Sequence, residues 1–309
     1  MNLKILGILP HSIGGRLTIS SIFDGFIQNG HDVKIVDVLK NDAIPQGDFD
    51  YIVGYGFSAI KTNVENNLNL KTINYFSDVI EEPTAGSGYD LYRNELYKDG
   101  NYSFYWDKAL LDKTDYKNIF YMPHFVNTDI YKNLNLEKEF DVNFAGRLDT
   151  DFRLNSFLKL LKSLPNVKFA WHAIEKHYQD ALDRTSIEER PLLEKCYQGF
   201  IDNEKDMSLA LNKSKIVVNF NSQGETSLNY RTFQALACET LVLSDEREDL
   251  SLFDNLVPTY TTIENLIETI KYYLSRDNSK ITKACREIIV KNHSSKVCVE
   301  KMLKLINHE

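Results

Sequence analysis

Residues 219–245 read N-F-N-S-Q-G-E-T-S-L-N-Y-R-T-F-Q-A-L-A-C-E-T-L-V-L-S-D. The β-branched run Ile216–Phe220 that leads into this stretch predicts a buried strand, and Leu241–Ser244 predicts a second one. Between them, a polar loop of small residues over 221–227 runs into a helix. A helix that starts beside the carboxyl end of a buried strand presents backbone N–H groups and a positive dipole end, which favour an anion.

Two side chains of this helix suit the same ligand. Arg231 can grip phosphate through two N–H groups at once. Gln234 lies three residues on, so it shares the helix face of Arg231. The stretch therefore predicts a nucleotide diphosphate held at the carboxyl end of a parallel sheet.

Alternating strands and helices extend outward from this stretch in both directions. Apolar runs predict further strands at Leu3–Leu9, Val33–Val38, Tyr51–Gly54, Thr72–Phe76, Ile119–Met122, Val142–Ala145 and Val167–Trp171. Helical spacing of apolar residues between these runs favours two doubly wound α/β domains with parallel sheets. Polarity rises over 133–139, which predicts domains at 1–130 and 131–291 and a closing helix at 292–309. Ligands commonly bind in the cleft between two such domains.

Composition excludes several classes of protein. The chain of 309 residues is 43% apolar, enough for two cores, and has no apolar run of the ~18–20 residues that span a bilayer. Its start lacks a signal-peptide pattern, and its four cysteines include no C-x-x-C pair, so a cytoplasmic protein with reduced thiols is expected. The net charge is −8, of which residues 1–127 carry −5, and this disfavours binding to nucleic acid or anionic membrane.

A pair of glycines, Gly14 and Gly15, lies between the first strand and the first predicted helix. Glycine is needed where the backbone approaches a ligand closely. The N–H groups of Gly15 and Arg16 are therefore candidates to meet the diphosphate. An ordinary tight turn between strand and helix would explain the same pair.

Asp78 follows the strand Thr72–Phe76 and is expected at a carboxyl end of the first sheet. There its carboxylate would act as a general base and take the proton of an acceptor hydroxyl. A helix N-cap or a solvated loop carboxylate is the alternative. Glu81 and Glu82 compete for any acidic role.

Arg147 and Arg153 flank the end of the strand Val142–Ala145 and are candidates to neutralise a leaving diphosphate. A surface salt bridge is the alternative for each. The aromatic residues within 89–106 form an acceptor surface, the core of a helical insertion or a dimer contact. His172 and His177 lie five residues apart, unlike a helical zinc pair, so no metal site is predicted.

Four motifs resemble glycosyltransferases of the two-Rossmann GT-B fold, and they stand in the expected order over nearly the whole chain. They are M-P-H-F-V-N-T-D at 122–129, G-R-L-D at 146–149, Y-Q-G-F-I-D-N-E-K-D-M at 197–207 and S-L-N-Y-R-T-F-Q-A-L-A-C-E at 227–239. The sequence is most similar to the spore-maturation-type (CgeB-like) branch of the family-1 and family-4-like enzymes. The resemblance implies transfer of a sugar from a nucleotide-diphosphate sugar to an acceptor hydroxyl, with Arg147 beside the diphosphate and Arg231 on its phosphate. Together with Asp78 as the base, these residues are the predicted catalytic groups.

The resemblance also implies a set of donor contacts. These are Gly14, Gly15, Arg16, Arg153, Glu225, Thr226, Ser227, Asn229 and Gln234. Gln234 stands where the family usually has a glutamate that meets the ribose, and Glu239 stands where it has glycine. No metal and no cofactor are expected besides the co-substrate, for which a UDP-sugar is the expected donor.

Two other functions stay open at this stage. A looser likeness to phage glucosyltransferases that modify hydroxymethylated DNA bases rests on Y-F-S-D-V at 75–79, on Arg153 and on R-T-F-Q-A-L-A. The acidic first half argues against DNA as acceptor, because such proteins need Lys and Arg facing phosphates. A non-catalytic nucleotide-binding module is the third interpretation, suggested by Gln234 and Glu239. The acceptor (glycan, protein or small molecule), the sugar, the stereochemistry and the oligomeric state are left open.

Overall fold

The computed structural model describes residues 2–40, 42–77, 92, 95–96, 98–111, 118–220 and 224–307. They form two compact α/β units. Unit 1 comprises the described residues of Met1–Asn127, Gln223–Leu228 and Lys291–Glu309, and unit 2 those of Thr128–Ser222 and Asn229–Val290. The chain thus first leaves unit 1 after Asn127, whereas the sequence analysis placed the boundary at residue 130. It returns to unit 1 for the described residues 224–228 and again for its last helix.

The described part of unit 1 is built on a six-stranded parallel sheet of order β2-β1-β3-β4-β5-β6. Its strands are β1 (Lys4–Leu9), β2 (Asp32–Asp37), β3 (Tyr51–Tyr55), β4 (Lys71–Phe76), β5 (Asn101–Tyr105) and β6 (Ile119–Tyr121). Its helices are α1 (Ile13–Gln28), α2 (Ser58–Glu65), α3 (Lys108–Leu111) and α11 (Ser295–Asn307). The parallel order makes the carboxyl ends of all these strands lie at one edge of the sheet.

Helix α11 closes unit 1 by packing against α1. A Cβ atom at Gly25 would come within 2.4 Å of the Ser295 carbonyl oxygen and 2.5 Å of the Val299 side chain. The two helix backbones therefore touch at a glycine. Ile22, Phe23 and Phe26 of α1 lie in the same buried cluster as Val299 and Met302 of α11.

The described part of unit 2 is built on a five-stranded parallel sheet of order β11-β10-β9-β7-β8. Its strands are β7 (Phe140–Ala145), β8 (Phe169–His172), β9 (Ser214–Asn219), β10 (Leu241–Asp245) and β11 (Thr259–Tyr260). Its helices are α4 (Asp151–Ser163), α5 (Glu175–Asp183), α6 (Arg190–Cys196), α7 (Glu204–Asn212), α8 (Tyr230–Ala237), α9 (Ile263–Leu274) and α10 (Ser279–Asn292). Two parallel α/β sheets with helices between their strands confirm the fold class expected from the sequence.

Part of the aromatic segment 89–106 differs from all three interpretations given above. Its last residues form β5, which lies between β4 and β6 inside the sheet. Tyr102, Phe104, Tyr105 and Trp106 are all less than 10% exposed. These side chains fill the core of unit 1, whereas Tyr89 and Tyr97 lie outside the described residues.

No helix within the described ranges is long and apolar enough to cross a membrane. Those same ranges contain no group of three or more His, Cys, Asp or Glu side chains that is arranged to hold a metal ion.

Candidate anion-binding site

The connection from β9 to α8 in unit 2 carries the residues with which the sequence analysis began. Asn229 is the N-cap of α8, and its side chain accepts a hydrogen bond of 3.2 Å from the Thr232 N–H. The Asn229 amide also donates to the side chain of Asn219, the last residue of β9. Asn229 thus ties the start of the helix to the end of the strand, which fixes the direction of the first helical turn.

Arg231 lies in that first turn and is the most unusual charged group of unit 2. Its Nη1 donates to Oε1 of Gln234 at 2.6 Å, and its Nε is buried with no acceptor. No Asp or Glu in the described residues forms an ion pair with it. Burial lowers the pKa of Arg231, although arginine keeps its charge at any physiological pH. A desolvated cation without an anion is costly, so this position suits an anionic ligand.

Gln234 is fully buried, at 0% exposure. Its Oε1 accepts from Arg231, and its Nε2 donates to the hydroxyl of Tyr131 at 2.5 Å. Tyr131 is itself completely buried. Both ends of the Gln234 amide therefore have protein partners, although the family resemblance implies a contact with the ribose hydroxyls.

His172 is a site residue that the sequence analysis missed. It is the last residue of β8, and both of its ring nitrogens are buried without a hydrogen bond of normal geometry. Burial and the nearby positive charge of Arg231 lower the pKa of His172 to about 4, against a smaller raising effect from the Gly199 backbone. The influence of Arg231 places the two side chains near each other. The position of His172 at the carboxyl end of a predicted strand could have indicated a site residue. The sequence analysis considered this histidine only as a zinc ligand.

Arg153, in the first turn of α4, has its own acceptors. Its Nη2 donates to the Phe220 carbonyl at 2.6 Å, and its Nη1 lies 3.4 Å from Asp149 Oδ1. Only 11% of the side chain is exposed. These contacts join the start of α4 to the end of β9, so the Arg153 guanidinium stabilises this part of unit 2 without a ligand.

Arg147 follows β7 and is half exposed, with its Nε 3.3 Å from Asp149 Oδ2. A half-exposed ion pair of this kind contributes little stability and exchanges easily for another anion. Arg147 therefore remains available at the carboxyl end of the sheet of unit 2.

In unit 1, the predicted glycine turn is the start of α1. Ser12 caps the helix: its Oγ accepts from the Gly15 N–H at 3.3 Å, and its carbonyl accepts from the Arg16 N–H at 3.0 Å. A Cβ atom at Gly15 would lie 2.7 Å from the Tyr55 ring, whereas one at Gly14 would meet no atom within 4 Å. Gly15 is thus required for packing, and Gly14 borders open space.

The Arg16 side chain is directed at β2. Its Nε donates to the Pro10 carbonyl at 2.8 Å, and its two Nη groups pair with both oxygens of Asp37. The hydrogen bond from Arg16 lowers the pKa of the Asp37 carboxyl to about 2. The Arg16 N–H, which the sequence analysis proposed for the diphosphate, donates to the Ser12 carbonyl, while the guanidinium is held by Asp37.

The segment around Glu225, Thr226 and Ser227 is held by a buried carboxylate of unit 1. Asp107, at 0% exposure, accepts from the Glu225 N–H at 2.6 Å and from Thr226 Oγ1 at 2.8 Å. Ser227 is buried and close enough to help to lower the Asp107 pKa. The groups expected to contact the donor therefore bind Asp107, which the sequence analysis did not single out.

Asp78, Glu81 and Glu82 lie outside the described residues. The base function expected for Asp78 stays a prediction. Among the described candidates, the structure brings Arg231, Gln234 and the newly found His172 close together in unit 2.

Comparison with known proteins is consistent with this architecture. Residues 153–304 match the family model described as glycosyl transferase-like. A search of curated proteins found no match. The chain is similar in fold to a glycosyltransferase from Rickettsia africae, with 16% identity, a TM-score of 0.68, and coverage of 99% of this chain and 98% of that one.

Two further solved structures share the fold over their full length. A sucrose-phosphate synthase from Thermosynechococcus elongatus is 11% identical with a TM-score of 0.73, and 99% of each chain is covered. An α-glucosyltransferase solved in complex with UDP-glucose and DNA containing an abasic site is 13% identical with a TM-score of 0.68, with 99% of this chain and 100% of that one covered. At these identities the likeness shows the fold alone. It confirms the GT-B fold expected from the motifs.

Proposed function

We propose that this protein transfers a sugar from a nucleotide-diphosphate sugar to an acceptor hydroxyl, because residues 153–304 match the glycosyl transferase-like family model and the chain has the GT-B fold. The observation that carries the proposal is Arg231. It is a partly buried guanidinium, with its Nε enclosed, at the carboxyl end of the sheet of unit 2, and it has no carboxylate partner among the described residues. A diphosphate supplies the missing anion.

The proposed chemistry rests on stabilising the departing diphosphate. Arg231 binds the phosphate oxygens from the start of α8, and the more exposed Arg147 approaches them from the end of β7. Positive groups fixed before the reaction act on the negative charge that develops as the glycosidic bond to phosphate breaks. They supply this charge without a metal ion. Asp78 accepts the proton of the acceptor hydroxyl in this proposal.

UDP is the donor nucleotide that we propose, since the similar α-glucosyltransferase was solved with UDP-glucose. A thermal-shift panel of nucleoside diphosphates and nucleotide sugars tests this choice. A ligand at a hundred times its Kd raises the free energy of unfolding by about 2.7 kcal/mol. UDP and a UDP-sugar should therefore raise the melting temperature more than the other nucleotides do.

Transfer itself requires a second experiment, which is release of UDP from a UDP-sugar with and without acceptors. The Arg231→Ala variant should lose about a hundredfold or more in kcat/KM for the donor, because a charge-assisted phosphate contact disappears. Arg276→Ala is the matched control, since Arg276 is exposed and stacks on Tyr272 in the same unit. Nucleotide binding without any turnover would replace the enzyme by a non-catalytic binding module.

A further inference from the structure

A cavity of about 400 Å³ lies in unit 2 at the amino end of the sheet. Phe140 and Phe169, the first residues of the neighbouring strands β7 and β8, line it together with the end of α4 and with α6. Because the two strands are parallel, their carboxyl ends lie at the opposite edge of the sheet, where Arg147 and His172 are found. The cavity is therefore separate from the candidate anion site.

Apolar side chains form the floor of this cavity. Four of them belong to the buried core cluster of unit 2, and Val167 and Leu192 pack against that cluster. The four are Leu161, Leu164, Phe169 and Cys196. The Cys196 thiol donates to the Leu193 carbonyl at 3.2 Å, and burial raises its pKa to about 12, so it is neutral at pH 7. An apolar group is therefore favoured on this floor, because a polar one would lose its hydrogen bonds to water.

Exposed lysines form the rim of the same cavity. They are Lys162, Lys168 and Lys195, and none of the described residues that line the cavity is acidic. Lys162 forms an ion pair with Glu189. Within the described part of the chain, neither Lys168 nor Lys195 has an ion pair. The rim therefore carries positive charge, although the net charge of the chain is −8.

The carboxylate that follows Phe140 in the sequence is balanced by another residue. Asp141 accepts from the Lys168 N–H at 2.9 Å and from Lys215 Nζ at 2.7 Å. Burial acts to raise the Asp141 pKa, and these hydrogen bonds lower it. Glu194 precedes Lys195 in α6 but is not among the lining residues. The Lys168 and Lys195 ammonium groups thus remain available to an anion at the rim.

We propose that this cavity binds a free medium-chain fatty acid, with the acyl chain on the apolar floor and the carboxylate at the lysine rim. The volume lies within the roughly 300–1,000 Å³ of small-molecule sites, which combine an apolar lining with a few polar groups. A nucleotide or inorganic phosphate would leave the floor unfilled. An alkyl cation would fill the floor but place its charge beside those of Lys168 and Lys195.

Calorimetric titration with dodecanoate, below the concentration at which it forms micelles, tests this binding. We expect saturable binding of one molecule per chain. Decanoate should bind about tenfold more weakly, because two fewer CH₂ groups are buried and each contributes about fourfold in affinity. Dodecyltrimethylammonium has the same chain length and the opposite charge, so it should bind at least tenfold more weakly than dodecanoate. Absence of saturable binding, or equal affinity for the anion and the cation, would overturn the proposal.

Two variants test the rim and the floor separately. The double change Lys168→Glu with Lys195→Glu should weaken dodecanoate binding about tenfold or more, since it reverses the charge that holds the carboxylate. Lys283→Glu, an exposed change on α10, is the matched control and should bind as wild type does. Val167→Trp should fill the cavity and abolish binding, and its melting temperature shows whether it folds. Unchanged affinity in the double lysine variant would by itself refute the proposed rim.

Two competition experiments identify the place and the source of the ligand. Pyrophosphate and UDP should not displace dodecanoate, because the cavity and the candidate anion site lie at opposite edges of the sheet; displacement would refute a separate site. Vesicles that contain anionic phosphatidylglycerol test a lipid surface. Binding to vesicles without binding to dodecanoate would replace the fatty acid by a membrane contact. A protein that binds dodecanoate as expected but neither binds nor turns over nucleotide sugars would support this site and refute the proposed function.

Discussion

Replacement of Asp107 by asparagine should destabilise unit 1 by about 3 kcal/mol at neutral pH. The buried carboxylate accepts three hydrogen bonds, from the Ala109 N–H at 2.9 Å, the Glu225 N–H at 2.6 Å and Thr226 Oγ1 at 2.8 Å. Hydrogen bonds to a charged group contribute about 1.5–3 kcal/mol each, and neutral ones about 1 kcal/mol. Asparagine keeps one oxygen, so one bond is lost outright and the other two become neutral.

The loss of stability caused by Asp107→Asn should depend on pH. Burial by itself raises the pKa of Asp107, but the hydrogen bonds from Thr226 and the backbone amides outweigh it and lower the pKa. A carboxyl whose folded-state pKa lies below the unfolded value of about 3.9 stabilises the protein fully above that pH. This contribution is lost as the pH falls towards the folded-state pKa. The difference between wild type and Asp107→Asn should therefore shrink below about pH 4.

Urea unfolding followed by tryptophan fluorescence measures the loss of stability of unit 1. The chain has two tryptophans, Trp106 in the core of unit 1 and Trp171 in the core of unit 2. A Trp171→Phe background makes the fluorescence report on Trp106 alone. Asp99→Asn, an exposed change in unit 1, is the control. A loss below about 0.5 kcal/mol at pH 7 would refute the reasoning, because it would mean that the three hydrogen bonds contribute no more than a surface contact.

Four other outcomes are expected. Asp37→Asn should lower the free energy of unfolding by about 1–2 kcal/mol at neutral pH, because Arg16 lowers the Asp37 pKa to about 2. This contribution is present above about pH 4 and is lost as the pH falls to about 2. Equal losses of stability in urea at pH 7 and pH 2.5 would contradict this. A bound anion should raise the low pKa of His172, so wild type should bind pyrophosphate more tightly at pH 5 than at pH 7. His172→Gln should abolish this gain. An equal change of pyrophosphate affinity with pH in both proteins would contradict the prediction. Asp78→Asn should slow sugar transfer by about a hundredfold with unchanged UDP binding, and full turnover would remove the base role. Duplex DNA should not bind measurably at 50 mM salt, as the −5 charge of residues 1–127 opposes it; a salt-sensitive micromolar Kd would overturn this expectation.

Most strands were predictable because buried parallel strands are continuous apolar runs. The exception in the interior of the first sheet is β5, whose sequence N-Y-S-F-Y contains Asn101 and Ser103 at buried positions. Thr72 donates to Asn101 at 2.8 Å, and Asn74 of the neighbouring strand donates to Thr72 at 2.8 Å. Polar residues inside β5 interrupt the apolar run by which a buried strand is recognised, and their partners on β4 become visible only in the structure.

The candidate site was predictable in its location but not in its partners. A basic residue at a helix start after a buried strand is visible in the sequence, and it directed attention to Arg231. Whether a guanidinium already has acceptors within the protein depends on residues far away in the sequence. Asp37 lies 21 positions from Arg16, and Phe220, whose carbonyl accepts from Arg153, lies 67 positions from it. These pairings are set by tertiary structure, so the sequence could not show that the side chains of Arg16 and Arg153 already have partners within the protein.

Arg153 and Arg231 show what distinguishes a structural arginine from one that awaits a ligand. Each lies in the first turn of a helix at the carboxyl edge of one sheet, and each has a buried Nε without an acceptor. Arg153 also has the Asp149 carboxylate and the Phe220 carbonyl, which offset the cost of removing its charge from water. Among the described residues, Arg231 has the neutral amide of Gln234 as its side-chain acceptor and no carboxylate partner. The free-energy cost of removing the Arg231 charge from water is therefore not offset in the free protein, and a bound anion would offset it. Pyrophosphate should for this reason stabilise unit 2 in wild type and leave the stability of Arg231→Ala unchanged.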